Sequence, residues 1–152
     1  MNPFDAYPQG GRDLCGKPRD NSNTRHGQGL EIQRLTGQST CAYCEVSLID
    51  DYYHWLLMSV DHVIPKSVAG NLGIAPMYYE DYINLVLCCS GCNGLKNRDT
   101  VAKLGLPHEP QSHWNLAEFV AFRDRVFMAR RQRIEERRKE EQVFFASKPW
   151  EK

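Results

Sequence analysis

An α+β protein stapled by one metal ion is the fold class that the sequence predicts, and three observations predict it. Two Cys-x2-Cys pairs, Cys41/Cys44 and Cys89/Cys92, frame the middle of the chain; two short apolar runs lie between them; a long stretch of helical period follows. Four thiolates in two such pairs are the ligand set of a closed structural Zn2+ site. The pairs stand 44 residues apart. Closing a loop of that length costs roughly 3 to 5 kcal/mol by the logarithmic rule. Structural zinc supplies about 10 to 16 kcal/mol in small peptide systems, so the ion decides how this region folds.

The elements follow in order. Residues 1–27 are rich in Pro, Gly, Asn and Arg and show no period, which predicts an irregular arm around the domain. Cys15 has no partner at knuckle spacing and reads as a free thiol. Leu30, Ile32 and Leu35 predict a short helix over Gln28–Thr36, stopped by Gly37. Tyr43, inside the first knuckle, reads as a packing residue, and His54 beside Trp55 as a partly buried structural histidine. The run from Tyr52 to Val60 predicts a buried strand ending at Asp61-His62, and Pro65, with no N–H to donate, ends its pairing. Residues 66–83 predict a long loop with one helical turn near Tyr78–Tyr82.

Asn84 to Cys88 predicts a second strand entering the second knuckle. Cys88 and Cys89 are adjacent, which leaves the register open; only Cys89 reproduces the two-residue spacing to Cys92. A helix should start with Asn93-Gly-Leu-Lys-Asn-Arg98. His108 and His113 fall in a Pro-containing connection and read as ordinary loop residues. Asn115 with Glu118 three residues later is a capping-box pair. Leu116, Phe119, Val120, Val126, Phe127 and Ile134 continue a helix, which runs past its packing partner where residues 135–142 turn polar all round. Val143 to Ala146 and Trp150 are apolar again, as in a segment that folds back or meets another subunit. The organisation expected is an arm (1–27), a zinc-knuckle domain (28–105) and a helical extension (106–152).

Hydrophobic residues make up 41% and charged residues 25% of the chain, an ordinary globular composition. No basic-then-apolar leader and no apolar run near 18 residues is visible, so secretion and membrane spanning are excluded as expectations and a cytoplasmic setting is expected. Thiols in metal-type pairs agree with that setting. Net charge is zero, yet residues 41–99 carry −4 and residues 123–152 carry +4. A phosphodiester would be repelled by the middle segment unless a divalent cation and the basic tail offset it. The tail could equally be a solvated helix.

Asp61 and Asn93 supply hard oxygen donors, suited to Mg2+ or Mn2+ and poorly suited to zinc beside four thiolates. Two different metals are therefore expected. A neutral His62 can take a proton from water at pH 7. Neighbours on a regular strand point to opposite faces, so the backbone must turn at Asp61-His62 if both are to serve one site.

The ordered pattern Cys-x2-Cys, Asp61-His62-Val-Ile-Pro-Lys-Ser, Asn84-Leu, Cys89-x2-Cys92-Asn93-x2-Lys96 resembles the HNH endonucleases with a four-cysteine zinc site. The resemblance covers Cys41 to about Asn97, roughly a third of the chain. It implies a ββα-metal (His-Me finger) core, His62 as general base, Asp61 as a ligand of the catalytic ion, and Asn84 steadying the loop and the histidine. Asn93 would be the second ion ligand, making a His-Asn-Asn variant, and Lys96 would contact phosphate. Lys66 and Arg98, the other cations of the segment, are candidates for the same role. The family's usual Gly-Gly after the Pro-Ser segment is Ala69-Gly70 here, and the loop before Asn84 is longer than in minimal members. The expected activity is hydrolysis of DNA, with action on RNA or structured DNA as an alternative. The competing expectation is a catalytically silent zinc module that binds nucleic acid or a protein. Homodimerisation, or a protein partner, is expected through the C-terminal helix.

Overall fold

The computed structural model describes residues 2–20, 22, 25–97, 99–106 and 109–151. His108 and Arg98 lie outside these. Helix α1 spans Gln28–Thr36 and presents Ile32 to the core. It ends as expected: Gly37 enters the left-handed region (φ 69°) and its N–H returns to the Gln33 carbonyl.

The run from Tyr52 to Val60 is not a single strand. The side chain of Asp51 accepts from the His54 N–H at 2.9 Å and caps a short helix, α2, over Tyr52–Leu56. Tyr52 and Tyr53 are 63% and 71% exposed, so these aromatics are not the buried face of a strand. His54 is partly buried, as expected, and its Nδ1 lies 3.0 Å from Asp50 and 2.8 Å from Asp51. The strand proper, β1, is Met58–His62. It pairs antiparallel with β2, Leu85–Cys89, in the register Met58 opposite Cys89 and His62 opposite Leu85.

Between the strands the chain is more helical than a loop. Helix α3 covers Lys66–Asn71 after Pro65, and helix α4 covers Pro76–Tyr79 with its proline in the first turn. Proline pre-sets the helical φ there and lacks an N–H that would go unpaired in any case. A 3₁₀ turn over Tyr82–Asn84 follows, capped by the Asp81 side chain, so Asn84 stands just before β2 and not in it. Helix α5, Ser90–Lys96, begins three residues earlier than expected because the Cys89 sulfur accepts from the Cys92 N–H at 3.4 Å. It packs against both strands.

Helix α6 runs unbroken over Leu116–Ala146. The capping box forms: the Asn115 side chain accepts from Glu118 N–H and the Glu118 carboxylate from Asn115 N–H, each at 2.9 Å. Val143, Phe144 and Phe145 continue the helix in solvent and do not fold back. Its buried stripe is Phe119, Phe122, Arg123, Val126, Phe127, Arg130 and Ile134.

The N-terminal arm is part of the core. Phe4 and Tyr7 are buried in two 3₁₀ turns, Phe4 meets Phe127 edge-on at 5.6 Å, and the Tyr7 hydroxyl donates to the Leu85 carbonyl. Arg123 lies over the Phe4 ring and donates to the carbonyls of Gly11 at 2.7 Å and Ile83 at 2.8 Å. Gly11 must be glycine on two counts: its φ is +67°, and a Cβ would stand 3.2 Å from Arg123 and Phe4. One core therefore joins arm, sheet and α6. No helix among the described residues is long and apolar enough to cross a membrane.

Candidate metal centre and active site

The knuckles meet. The sulfurs of Cys41, Cys44, Cys89 and Cys92 all lie within 4.8 Å of one another, and Cys44 and Cys89 are 3.8 Å apart. Sulfurs at about 2.3 Å from a tetrahedral zinc stand about 3.8 Å apart, so the cluster could hold zinc. The strand settles the open register. Cys88 is fully buried within β2, where burial raises its thiol pKa, and Cys89, at the strand end, joins the cluster. Hydrogen bonds from neighbouring thiols hold Cys44 down at about 6 and lower Cys89, while the thiols of Cys41 and Cys92 are raised. Crowded thiols cannot all ionise unaided, and zinc would hold all four as thiolates.

The first knuckle also reaches Asp61. Tyr43 stacks on Phe127 at 5.4 Å, and burial raises its phenol pKa so that it keeps its proton and donates it to Asp61 Oδ2. The other oxygen, Oδ1, takes the Lys96 ammonium, which also donates to the His62 carbonyl at 3.1 Å. Asp61 is 2% exposed. Burial, and then the charge of Arg130, pull Lys96 down to about 7; the carboxylate in contact with it favours the charged form. Arg130, from α6, is buried, and its Nε and Nη1 have no hydrogen-bond partner among the described residues.

His62 has other company. β1 keeps regular pairing through Asp61 and His62, opposite Val86 and Leu85, so no turn brings the two side chains to one face. The imidazole is half-buried among groups that include Lys66 and Glu80, and burial first, Lys66 second, lower its pKa to about 4. Lys66 lies 3.5 Å from Glu80, which Lys17 pairs at 2.9 Å. Asn84 is buried and clamps the segment after His62: it accepts from the Ile64 N–H at 3.0 Å and donates to the carbonyls of Ile64 and Tyr79 at 2.9 Å. Asn93 is on α5, in the turn before Lys96, partly exposed.

The structure thus gathers Asp61, Lys96, Tyr43 and Arg130, and sets His62 and Lys66 on the other side of the strand. Lys96 is engaged by Asp61 and is not free to meet a phosphate. Tyr43 and Arg130 escaped the sequence reading, though a signal existed. Arg123 and Arg130 stand seven residues apart on the apolar stripe of α6, where a solvated arginine would not fall. No protein-family model, curated protein or solved structure matches the chain.

Proposed function

We propose that the chain is a metal-dependent endonuclease of the HNH kind, hydrolysing phosphodiester bonds of DNA, with the β1–β2–α5 unit as its ββα-metal core. What supports this reading is one contact. The Lys96 ammonium touches both the Asp61 side chain and the His62 carbonyl, so residues 34 positions apart in the sequence pattern close on one place. His62 is the general base. Kept neutral at pH 7 by burial, its imidazole accepts a proton from water as that water attacks phosphorus in line and the bond to the leaving oxygen breaks. Asn84 fixes the segment after His62 and so the position of the base.

Asp61 and Asn93 would hold the divalent ion. A carboxylate and an amide oxygen have the donor chemistry for Mg2+ or Mn2+, and such an ion, when bound, neutralises charge on the phosphate and the leaving oxygen. Both oxygens of Asp61 are engaged by protein donors, so Lys96 must leave before an ion can take its place. Because β1 sends residues 61 and 62 to opposite faces, the phosphate lies across the end of the strand. Lys96, once released, and Lys66 are the described cations that would contact it. The test is plasmid cleavage with and without Mg2+ or Mn2+. His62→Ala should lower the rate at least about 100-fold, the usual contribution of a general base, with zinc content and melting temperature unchanged. Unaltered cleavage would refute the assignment.

The sealed state of Asp61 favours a second reading, a catalytically silent zinc module that binds nucleic acid or a protein. It expects salt-dependent binding and no turnover with any divalent ion.

A further inference from the structure

The cluster on the inner face of β1 is short of an acceptor. Two cations, the buried Arg130 and Lys96 with a side chain 9% exposed, share its one carboxylate, Asp61, and Lys96 alone reaches it. The Nε and Nη1 of Arg130 point at nothing that accepts, and unpaired buried donors of a charged group are rare in native proteins. Asp99 lines the same small void with Lys96, Arg130 and Arg133, but its oxygens are taken by Arg137 at 2.7 and 3.0 Å. The void measures about 10 Å3, room for one water at most. No oxyanion fits while Lys96 holds Asp61. If a divalent ion took Asp61 alone, Lys96 would keep only the His62 carbonyl and join Arg130 as a second cation without a counter-charge. An oxyanion entering as Lys96 swings away would satisfy both.

We propose that Asp61 and Lys96 form a self-quenched double site that opens to a divalent cation and a phosphate oxyanion together, Asp61 taking the cation while Lys96 and Arg130 take the oxyanion. The proposal rests on the nuclease reading for the cation at Asp61 and adds Arg130, from outside the resembling segment, as a phosphate-binding residue. Cation and phosphate then bind with positive coupling, and neither binds well alone.

The experiment measures the Mn2+ dissociation constant of the zinc-loaded protein from the free-ion EPR signal, with and without thymidine 5′-monophosphate. The weak Mn2+–nucleotide complex is subtracted from a protein-free series. The nucleotide should tighten Mn2+ binding about 10-fold, within the usual range of coupling between sites. Arg130→Met and Lys96→Gln should each bind Mn2+ more tightly than wild type when the nucleotide is absent, and each should lose the nucleotide effect. Arg130→Lys, which keeps the charge, should retain it. Zinc content and circular dichroism check the fold of each variant, and either Arg130→Met or Lys96→Gln alone decides the point. Asp61-dependent Mn2+ binding that ignores the nucleotide overturns the coupling and leaves the nuclease reading standing. Mn2+ binding equal in wild type and Asp61→Asn removes the ion site from both.

Discussion

At the scale of single residues, burial does more than sequence position to set the chemistry. His62 shows it on one face of β1. Its folded pKa of about 4 lies below the ordinary 6.5, so the unfolded chain binds a proton in a range where the folded chain refuses it. Stability attributable to this imidazole is whole above pH 6.5 and is lost as pH falls towards 4. The loss should be about 2 kcal/mol by pH 5, at 1.36 kcal/mol per pH unit below 6.5. Urea denaturation at pH 7 and pH 5 checks it: His62→Gln should lose less stability than wild type over that interval. Equal losses would mean that the imidazole is protonated in the folded protein. On the other face Asp61, Tyr43 and Lys96 form a hydrogen-bonded set that the order of residues does not disclose. The pattern Asp-His was legible; that Tyr43 and Lys96 occupy both carboxylate oxygens was not, because contacts across 18 and 35 residues are products of the fold.

At the scale of elements, the local signals that were read held where backbone chemistry enforces them. Gly37 stops α1, the Asn115/Glu118 box starts α6, and two-residue spacing picks Cys89 over Cys88. Reading failed where one signal masked another. The aromatic run at 52–60 suggested a strand, and Asp51, an N-cap, turned its first half into α2. The segment 66–83 read as a loop, and helices begin in it just after Pro65 and at Pro76. The two adjacent cysteines of β2 now make a contrast. Cys89→Ala should release the zinc and unfold the knuckle region, since about 10 to 16 kcal/mol of metal binding goes with it. Cys88→Ala, which trims a buried thiol in the sheet, should keep one zinc per chain and cost about 1 to 2 kcal/mol. Metal analysis of both purified variants distinguishes them, and zinc loss from the Cys88 variant would reverse the assignment.

At the scale of the whole molecule, the expected arm and extension are walls of one core. Phe4 and Tyr7 from one end and Phe119 to Ile134 from the other close over the sheet, with Arg123 as the tie. Apolar period in α6 announced half of this; an arm without period could not announce its share. The basic tail also changes meaning. Residues 135–152 carry five basic and five acidic side chains, and two arginines of the positive excess upstream, Arg123 and Arg130, are buried. Truncation after Ile134, the last buried residue of α6, should therefore leave folding intact and change the slope of log affinity for DNA against log salt by less than about one. A fall of two or more would make the distal helix the phosphate-binding surface.

Tyr43 stands between two cysteines of the four-cysteine cluster and donates a hydrogen bond from its hydroxyl to Asp61. The ring is a rigid strut with only two rotatable bonds, wedged by Phe127 from behind. Any displacement of the first knuckle, by loss of its ion or oxidation of its sulfurs, is thus transmitted along one side chain to a carboxylate in the middle of the sheet. A metal held by the four cysteines would share a mechanical linkage, as well as a fold, with the carboxylate of residue 61.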